Sequence, residues 1–364
     1  MMLLLKWEVS DADLGKERVV RGKLRLVPVI VLAVVLATVG GVGSARAQGV
    51  VGPGQSIQKA INAADPGDTI VVSGTHREDV VIRKNGISLR GTGKAVILPP
   101  ARVGSPCGPS GICVLGDVNF NNGKVNKYVK NVSVSGLRVK NFRNEGVFAV
   151  GARDATFIGN RLIGNGEYGA FALFSTGTRI LSNVARGSDE AGIYVGGSPQ
   201  ANAKVLGNET SGNLFGIFVR DALGGTIAGN RVHNNCLGVL FLADAPGPSG
   251  NFVVRGNQVR DNTRACPETD ETPPVSGVGI SLFGARGVEV TGNHITGNVP
   301  SGPSIFSGGV VVVRGFGGTA PRNNSVVAND FGRNRPDISW DGSGSGNHFA
   351  KNKCDTSVPK RLCR

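Results

Sequence analysis

Acidic residues recur just before a repeated apolar segment in the middle of the chain, each one to three residues ahead of a glycine that opens the segment. They are Glu145, Glu167, Asp189 and Glu190. If each copy of the segment lies beside the next in a sheet, carboxylates of neighbouring copies are about 5 Å apart. Repulsion at that distance raises the pKa of one carboxyl, which creates an acid and a base side by side. A similar separation serves retaining glycoside hydrolysis.

Three arginines accompany these acids. Arg143 and Arg186 lie beside them in the chain, and Arg220 follows the next copy of the apolar segment. A guanidinium there would neutralise the carboxylate of an acidic sugar while a nearby base removes the adjacent proton, which is the chemistry of β-elimination. The sequence leaves both reactions open. It also leaves open a corner whose charges serve only solubility.

Aromatic residues occupy the central position in most copies of the apolar segment. In successive copies this position holds Phe148, Phe171, Tyr194, Phe218 and Leu240. Side chains alternate along a strand, so the branched neighbours should point inward and the central residue outward. In a chain with only 5% aromatic residues, such a column predicts a platform on which sugar rings stack. Two alternatives stay open: a register displaced by one residue would turn the column inward, or loops would cover it.

Pairs of asparagines recur along the chain at the same interval as these segments. Asn-x4-Asn occurs at Asn160/Asn165, Asn208/Asn213, Asn230/Asn235, Asn257/Asn262, Asn293/Asn298, Asn329/Asn334 and Asn347/Asn352. Asn183 fills the gap between the first two copies without a partner. Two longer steps contain the polar, Pro-containing insertions 263–274 and 300–307. A period near 23 residues with insertions predicts a stacked solenoid.

Each repeat contains three short strands separated by glycine and asparagine. In one copy these strands are 226–230, 231–233 and 238–242, with apolar and polar residues alternating. Three strands per turn, each pairing with the same strand one turn away, predict an all-β, single-stranded parallel β-helix of about eleven coils. Asparagine suits its corners, because it tolerates left-handed backbone. Stacked asparagine amides can also hydrogen-bond along a ladder.

Both ends of such a coil need a cover, since open strand ends would aggregate. Residues 53–64 predict a short amphipathic capping helix that ends at Pro66-Gly67. Its apolar face consists of Ile57, Ala60, Ile61 and Ala64. The predicted divisions of the chain are a signal peptide at 1–47, an N-terminal cap at 48–66, the β-helix at 67–342 and a disulfide-closed C-terminal cap at 343–364.

The composition supports a glycine-rich β protein with an anionic partner. Glycine supplies 56 of 364 residues, and each glycine inside a helix costs about 1 kcal/mol. The whole chain carries a net charge of +14, and residues 48–364 carry 33 Lys and Arg against 22 Asp and Glu, or +11. This excess suits an acidic polysaccharide. Nucleic acid is disfavoured, because the basic residues are scattered and no binding motif is present.

The N-terminal segment has the order of an export signal. An uncharged stretch at 26–43 follows Arg21, Lys23 and Arg25 and precedes Ala45-Arg46-Ala47. This order predicts a signal peptide cleaved after Ala47, and therefore a secreted or cell-surface protein. The alternative is an uncleaved membrane anchor at 26–43. We also expect residues 1–19 to be an upstream extension, with translation starting at Val19 or Val20.

The six cysteines form three pairs in sequence order, Cys107/Cys113, Cys236/Cys266 and Cys354/Cys363. An even number in an exported chain predicts disulfides. Metal binding is the competing interpretation. It is weaker here, because the chain has no Cys-x-x-Cys motif and its four histidines are not clustered.

On these features the chain resembles the right-handed parallel β-helix proteins, the pectate-lyase-like superfamily of polysaccharide-active proteins. The likeness rests on the cap at 54–72, the turn Gly91-Thr92-Gly93 and the repeated Gly-Ile/Val-x-Val units, and it spans about residues 50–352. It implies a right-handed coil with the ligand along the third strand of each turn. It does not fix the activity, because the superfamily includes lyases, hydrolases, epimerases and adhesins.

The expected function is the binding or processing of an acidic polysaccharide by a secreted, lyase- or glycosidase-like monomer. The competing hypothesis is a non-catalytic cell-surface or adhesion module. The resemblance allows calcium as a cofactor, but the lyases' Asp cluster and Arg-x-Pro-x-x-Arg pattern and the alginate epimerases' Asp-Pro-His motif are not visible, so calcium has no clear site. His76, which follows the first strand, is expected to have a structural role.

Overall fold

The computed structural model describes residues 49–244, 247–270 and 272–363, so the predicted signal peptide lies outside the described residues. Within these ranges one short helix precedes a succession of strands that are two to six residues long. No helix in this part of the chain has the length and apolar character that crossing a membrane requires. The strands wind into coils of three, and each strand pairs in parallel with its equivalents in the neighbouring coils.

Three long parallel sheets form the walls of the coil. The first sheet contains Thr69–Val72, Ser88–Gly91, Ser133–Ser135, Thr156–Ile158, Arg179–Leu181, Ala203–Leu206, Leu223–Ala228, Gly250–Arg255, Glu289–Thr291, Ser325–Val327 and His348–Ala350. The second contains Thr75–Arg77, Val96–Leu98, Arg138–Lys140, Arg161–Ile163, Val184–Arg186, Glu209–Ser211, Arg231–His233, Gln258–Arg260, His294–Thr296 and Asp330–Gly332. The third contains Val80–Ile82, Ile112–Leu115, Val147–Val150, Tyr168–Leu173, Ala191–Gly196, Phe215–Arg220, Leu237–Leu242, Val278–Phe283, Gly308–Val313, Ile338–Trp340 and Ser357–Val358.

Two small sheets accompany the coil. Asp117–Asn119 and Lys124–Lys127 form an antiparallel hairpin after the second strand of the third sheet. Val129–Lys130 pairs in parallel with Ala152–Arg153. The prediction of an all-β coil with three strands per turn and about eleven turns is confirmed, since two of the long sheets contain eleven strands each.

The interior of the coil is a column of stacked apolar side chains. In the third sheet Ile193 pairs with Ile217 and Val195 with Val219. All four are buried in one core that runs the length of the coil. Equivalent residues therefore lie directly above one another, and burial of their apolar surface contributes roughly 25 cal/mol per Å² to folding.

Two asparagine ladders run along the corners of the coil. In each, the side-chain amide Nδ2 donates to Oδ1 of the asparagine in the next coil, at distances such as 3.0 Å from Asn208 to Asn230. The first ladder contains Asn160, Asn183, Asn208, Asn230, Asn257, Asn293, Asn329 and Asn352. The second contains Asn213, Asn235, Asn262, Asn298 and Asn334. The expected amide ladder is thus present.

The left-handed corner backbone belongs to the residue before the ladder asparagine. Gly229 has a φ of 63° and Ser182 a φ of 52°, whereas Asn230 and Asn183 are not in the left-handed region. The prediction that the ladder asparagines themselves adopt this conformation is therefore wrong. Each ladder asparagine is buried and hydrogen-bonded to the coils on both sides. Its role at the corner is therefore hydrogen bonding and not the adoption of left-handed backbone.

The last Asn-x4-Asn copy is displaced relative to the others. Asn352 accepts a hydrogen bond from Asn329, while Asn347 accepts one from Asn324, at a different corner. The last Asn-x4-Asn copy therefore does not continue the register of the earlier copies, although the sequence pattern groups it with them. The physical reason is length, since 18 residues are too few for the coil of 23 that separates Asn329 from Asn352.

The capping helix spans Ile57–Ala63 and buries Ile57 and Ile61 against the core. Ser56 caps it, and the Glu78 carboxylate accepts hydrogen bonds from the backbone N–H groups of Ile57 (2.6 Å) and Gln58 (3.2 Å). His76 lies beside this contact. Its two ring nitrogens lie 3.1 and 3.0 Å from backbone carbonyl oxygens, as expected for a structural histidine.

The three predicted cysteine pairs are disulfides in the structure. At the C-terminal end, His348–Ala350 extends the first sheet and Ser357–Val358 extends the third. The disulfide Cys354–Cys363 closes the segment that follows. The last residues therefore add strands to the coil as well as ending it.

Candidate functional site

The outer face of the third sheet carries the aromatic column. Phe148 pairs with Phe171, Phe171 with Tyr194, Tyr194 with Phe218, and Phe218 with Leu240, in the order that the repeat predicts. These side chains belong to a second apolar cluster, separate from the interior core that contains their neighbours along the strands. The alternation of the strand therefore places the rings on the outside of the coil wall.

The rings pack tightly against one another. Phe171 and Tyr194 are stacked with centroids 4.6 Å apart, and Tyr194 meets Phe218 edge to face at 5.2 Å. Phe148, Phe171, Tyr194 and Phe218 are only 1, 2, 3 and 5% exposed. The structure differs here from the expected open platform, because the column is part of a packed apolar layer. The side chains that pack against this layer include Val118 of the hairpin, Phe174, Cys266 and Phe306.

The predicted acids come together at the edge of this layer, where each third-sheet strand begins. The backbone N–H of Glu167 donates to Asn144 (3.1 Å), and the N–H of Glu190 donates to the carbonyl oxygen of Glu167 (3.1 Å). Main-chain bonds of the coil thus stack Glu190 on Glu167, whereas Glu145 is offset by one residue, because it lies two residues before Val147 and Glu167 lies three residues before its partner Ala170. The side chains of Glu145 and Glu167 interact directly.

Glu145 is the buried member of the carboxyl pair, with 1% of its surface exposed. The Ser110 hydroxyl donates to its Oε2 at 2.5 Å, while its Oε1 is buried and has no hydrogen-bond donor facing it. Two ionised carboxylates cannot hydrogen-bond each other, because both only accept. A proton on Glu145 would supply the missing donor and bridge the pair.

Burial raises the pKa of Glu145 to about 7. The Ser110 hydrogen bond opposes this change, and the charge of Glu167 adds to it. The predicted repulsion between neighbouring acids is therefore present but is not the main cause. Glu145 is a carboxyl that is partly protonated near neutral pH, which is the condition for general acid–base catalysis.

Tyr168 completes the site and was not predicted. Burial raises its pKa well above the usual value, and the charges of Glu190, Tyr194, Glu167 and Glu145 act in the same direction. Its hydroxyl is therefore protonated across the physiological range and can donate. Its ring lies 4.8 Å from Phe171 and 5.0 Å from Tyr194. The signal in the sequence was its position directly after Glu167, at the start of the aromatic strand.

Ser110 was also missed, because it comes from a loop 35 residues before its partner Glu145. The hydroxyl also lies 3.1 Å from the carbonyl oxygen of Cys107. The disulfide Cys107–Cys113 closes the loop that contains this serine. The sequence shows the disulfide loop but not which side chain of the coil it contacts.

The remaining predicted residues are dispersed. Asp189 and Arg143 are exposed near the acid edge. Arg186 is on the second sheet, where it forms an ion pair with Glu209. Arg220 ends its third-sheet strand, about 16 Å along the strand from the acid edge. The structure therefore places Arg143 near the carboxyl pair, but not Arg220.

Arg220 belongs to a second polar group at the far end of the strands. It pairs with Asp244 at 2.7 Å, and the N–H of Asp244 donates to Asp221 at 2.9 Å. Burial raises the pKa of Asp221 to about 6. Among the residues that the structure describes, no three His, Cys, Asp or Glu side chains are grouped so as to hold a metal ion.

Sequence comparison defines the family. The family described as "right handed beta helix region" matches residues 145–331, which is half of the chain, and the chain therefore belongs to this family. The matched region contains the carboxyl pair, the aromatic column and most of both asparagine ladders. No curated protein sequence matches this chain.

Solved structures with a similar coil share the fold at low sequence identity. The Dettilon tailspike protein is 14% identical, with 85% of this chain and 68% of that chain covered and a TM-score of 0.53. DFA-IIIase from Arthrobacter chlorophenolicus A6, without its lid, is 14% identical, with coverages of 80% and 87% and a TM-score of 0.52. The A-module of mannuronan C-5 epimerase AlgE4 from Azotobacter vinelandii is 16% identical, with coverages of 83% and 90% and a TM-score of 0.50. At these identities the likeness concerns the fold alone.

Proposed function

We propose that this chain binds and processes a polysaccharide, and specifically an acidic one, at the carboxyl pair Glu145 and Glu167. The observation that carries the proposal is the geometry of the pair, in which a buried carboxyl with a donorless oxygen faces a second carboxyl from the next coil. An unmade hydrogen bond of a buried oxygen costs about 1–3 kcal/mol, and a proton shared between the two acids removes that cost. Such a shared proton would be available for transfer to a substrate.

The chemistry follows from the two environments. Glu145, buried and with a pKa of about 7, would donate a proton to the oxygen that leaves the sugar. Glu167, which is only partly buried, would act as base or nucleophile. The backbones of neighbouring coils are about 5 Å apart, and a sugar entering between the two side chains would separate the carboxyls from their direct contact to about the distance used in retaining glycoside hydrolysis. If the reaction is instead a β-elimination, the exposed Arg143 would neutralise the sugar carboxylate.

Two further facts support an acidic polysaccharide as the partner. Residues 48–364 carry a net charge of +11, which attracts polyanions outside the cell. One solved structure with this fold is named as a mannuronan C-5 epimerase and another as a tailspike protein. We further propose export by the N-terminal segment, a monomeric state, and binding of the sugar by Arg143, Glu167 and Asp189 at the acid edge.

In this proposal the aromatic column has a supporting role. The apolar layer beside the pair consists of Phe148, Phe171, Tyr194 and Phe218. These rings exclude water from the surroundings of Glu145, and the loss of hydration raises the pKa of its carboxyl. Sugar rings would stack on them only at the edge where Tyr168 and Glu167 lie. The column thus tunes the acid instead of forming the main binding surface.

A non-catalytic adhesion module is the second candidate. The burial of the aromatic column favours it, because the third sheet then offers no open row of rings along which a sugar chain could lie. In that case the surface charges alone would bind a polyanion, and the carboxyl pair would have no substrate.

Product analysis separates the two candidates. The protein is incubated with a panel of acidic and neutral polysaccharides, and products are identified by mass spectrometry and by absorbance of unsaturated sugars. We expect products from an acidic polymer, their loss in Glu167→Gln, and unchanged turnover in the control Glu289→Gln, whose carboxylate is exposed on the first sheet. Equal turnover by Glu167→Gln would overturn the assignment of the pair. Retained binding with no product from any polymer would establish the adhesion module.

A further inference from the structure

The loop from Cys107 to Cys113 places one polar side chain on the carboxyl pair. Its sequence is Cys-Gly-Pro-Ser-Gly-Ile-Cys, and Ser110 at its centre is buried. The disulfide joins the two ends of the loop, and Cys113 itself is in a third-sheet strand, where it pairs with Phe148. The loop is therefore closed onto the same sheet that carries the acids.

Main-chain hydrogen bonds fix the loop against the turn that contains Glu145. The N–H of Gly111 donates to the carbonyl oxygen of Glu145 at 2.9 Å, and the N–H of Asn144 donates to Pro109 at 3.3 Å. These bonds lie on either side of Ser110 in the sequence. The serine hydroxyl consequently has little freedom other than rotation about its own Cβ–Oγ bond.

That rotation offers two bonding states. The hydroxyl has one proton and two lone pairs, and two acceptors are in reach: Glu145 Oε2 at 2.5 Å and the Cys107 carbonyl oxygen at 3.1 Å. When Glu145 is ionised, the hydroxyl donates to Oε2. When Glu145 is protonated on Oε1, toward Glu167, the hydroxyl can donate to the neutral Oε2 or turn to the Cys107 carbonyl oxygen. The hydrogen bond from Ser110 is therefore stronger to the ionised acid than to the protonated one.

We propose that Ser110 is a positioning residue of the acid pair, and that the disulfide loop Cys107–Cys113 holds it in place so that Glu145 can release and regain its proton without losing its position. This proposal rests on the proposed function for its biological use, although its physical content can be tested without substrate. Ser110 would contact the catalytic acid and not the sugar.

The groups around Glu145 determine how strongly Ser110 affects the titration of its carboxyl. The ionisable side chains that act on Glu145 or share its site are Glu167 and Tyr168 from the next coil and Glu190 from the coil after it, and the exposed Arg143 lies nearby. The loop contributes none, since its only other reactive side chains are joined in the disulfide. The Ser110 hydroxyl has the largest effect of the groups that hydrogen-bond the Glu145 carboxyl, ahead of its own backbone N–H and of Glu167.

The first test measures the titration of Glu145 in the intact protein. The side-chain carboxyl is followed by ¹³C NMR against pH, with Glu145→Gln used to assign the signal. Ser110→Ala removes a donor from the ionised form, so the midpoint should rise by about one pH unit. Ser110→Thr keeps the hydroxyl and should restore the wild-type midpoint. Ser198→Ala, a buried serine bonded only to main-chain groups, is the matched control and should change nothing.

The second test opens the loop. In the double variant Cys107→Ala/Cys113→Ala the midpoint should rise as it does in Ser110→Ala, and combining both changes should add nothing further. Removing Cys354 and Cys363 instead should leave the midpoint unchanged. The inference is overturned if Ser110→Ala leaves the midpoint at its wild-type value, or if opening the loop leaves it there while the protein stays folded. A shifted midpoint in a protein that processes no polysaccharide would refute the proposed function but not the positioning of Glu145 by Ser110.

Discussion

Replacing Glu145 by glutamine should stabilise the protein at neutral and alkaline pH. Glutamine has the shape of the protonated acid: its carbonyl oxygen can accept from Ser110, and its amide can donate to Glu167. The variant therefore keeps the bonds of the protonated state and cannot acquire the buried negative charge. Wild type and variant should differ only where the wild-type acid is forced to ionise.

The size of the effect follows from the two pKa values. The carboxyl ionises near 4.5 in the unfolded chain and near 7 in the folded one. Between these values the folded state holds a proton that the unfolded state has lost, so the free energy of unfolding decreases as pH rises. Each pH unit removes about 1.4 kcal/mol, which amounts to roughly 3 kcal/mol by pH 7. Above pH 7 the loss is complete, and below 4.5 it is absent.

The assay is urea unfolding of both proteins at intervals from pH 4 to 9. We expect the wild-type stability to fall relative to that of Glu145→Gln between pH 4.5 and 7, and the difference to be constant above pH 7. Glu289→Gln, on the exposed side of the first sheet, is the control and should show no such difference. Parallel pH profiles for wild type and Glu145→Gln would refute the conclusion that burial raises the pKa of Glu145 and keeps it protonated.

Two other changes test the coil itself. Asn230→Ala removes an amide that donates to Asn257 and Val205 and accepts from Asn208, so it should cost roughly 3 kcal/mol in urea unfolding. Asn347→Ala should cost less than half as much, because Asn347 is only half-buried and lies outside both ladders, where it accepts from Asn324. Phe171→Ala should cost about 3–5 kcal/mol because the ring is packed in the outer apolar layer, and unchanged stability would contradict that packing.

Much of the fold can be predicted from the sequence because the coil repeats. A period near 23 residues, alternating apolar residues and paired asparagines determine which residues lie above one another, as with Ile193 and Ile217. The capping helix and the three disulfides also follow from local signals. The displaced final copy at Asn347 shows the limit of this reasoning, since a repeat count cannot tell a shortened coil from a shifted register.

The candidate site could be predicted only in part. The approach of Glu145 and Glu167 follows from the repeat only roughly, because both precede equivalent strands but are offset by one residue in the register. Ser110 does not, since a nonrepeating loop brings it there from 35 residues away. The burial of Phe171 could not be predicted either, because alternation tells which side of the wall a ring occupies but not what packs against that side.

The most direct test of the central claim is a crystal structure of the Glu167→Gln protein with an acidic oligosaccharide bound. We predict that a glycosidic oxygen lies within hydrogen-bond distance of the Glu145 carboxyl, with the sugar carboxylate near Arg143. A sugar bound on the first or second sheet, out of reach of both members of the pair, would contradict the claim that Glu145 and Glu167 form an acid–base site for polysaccharide.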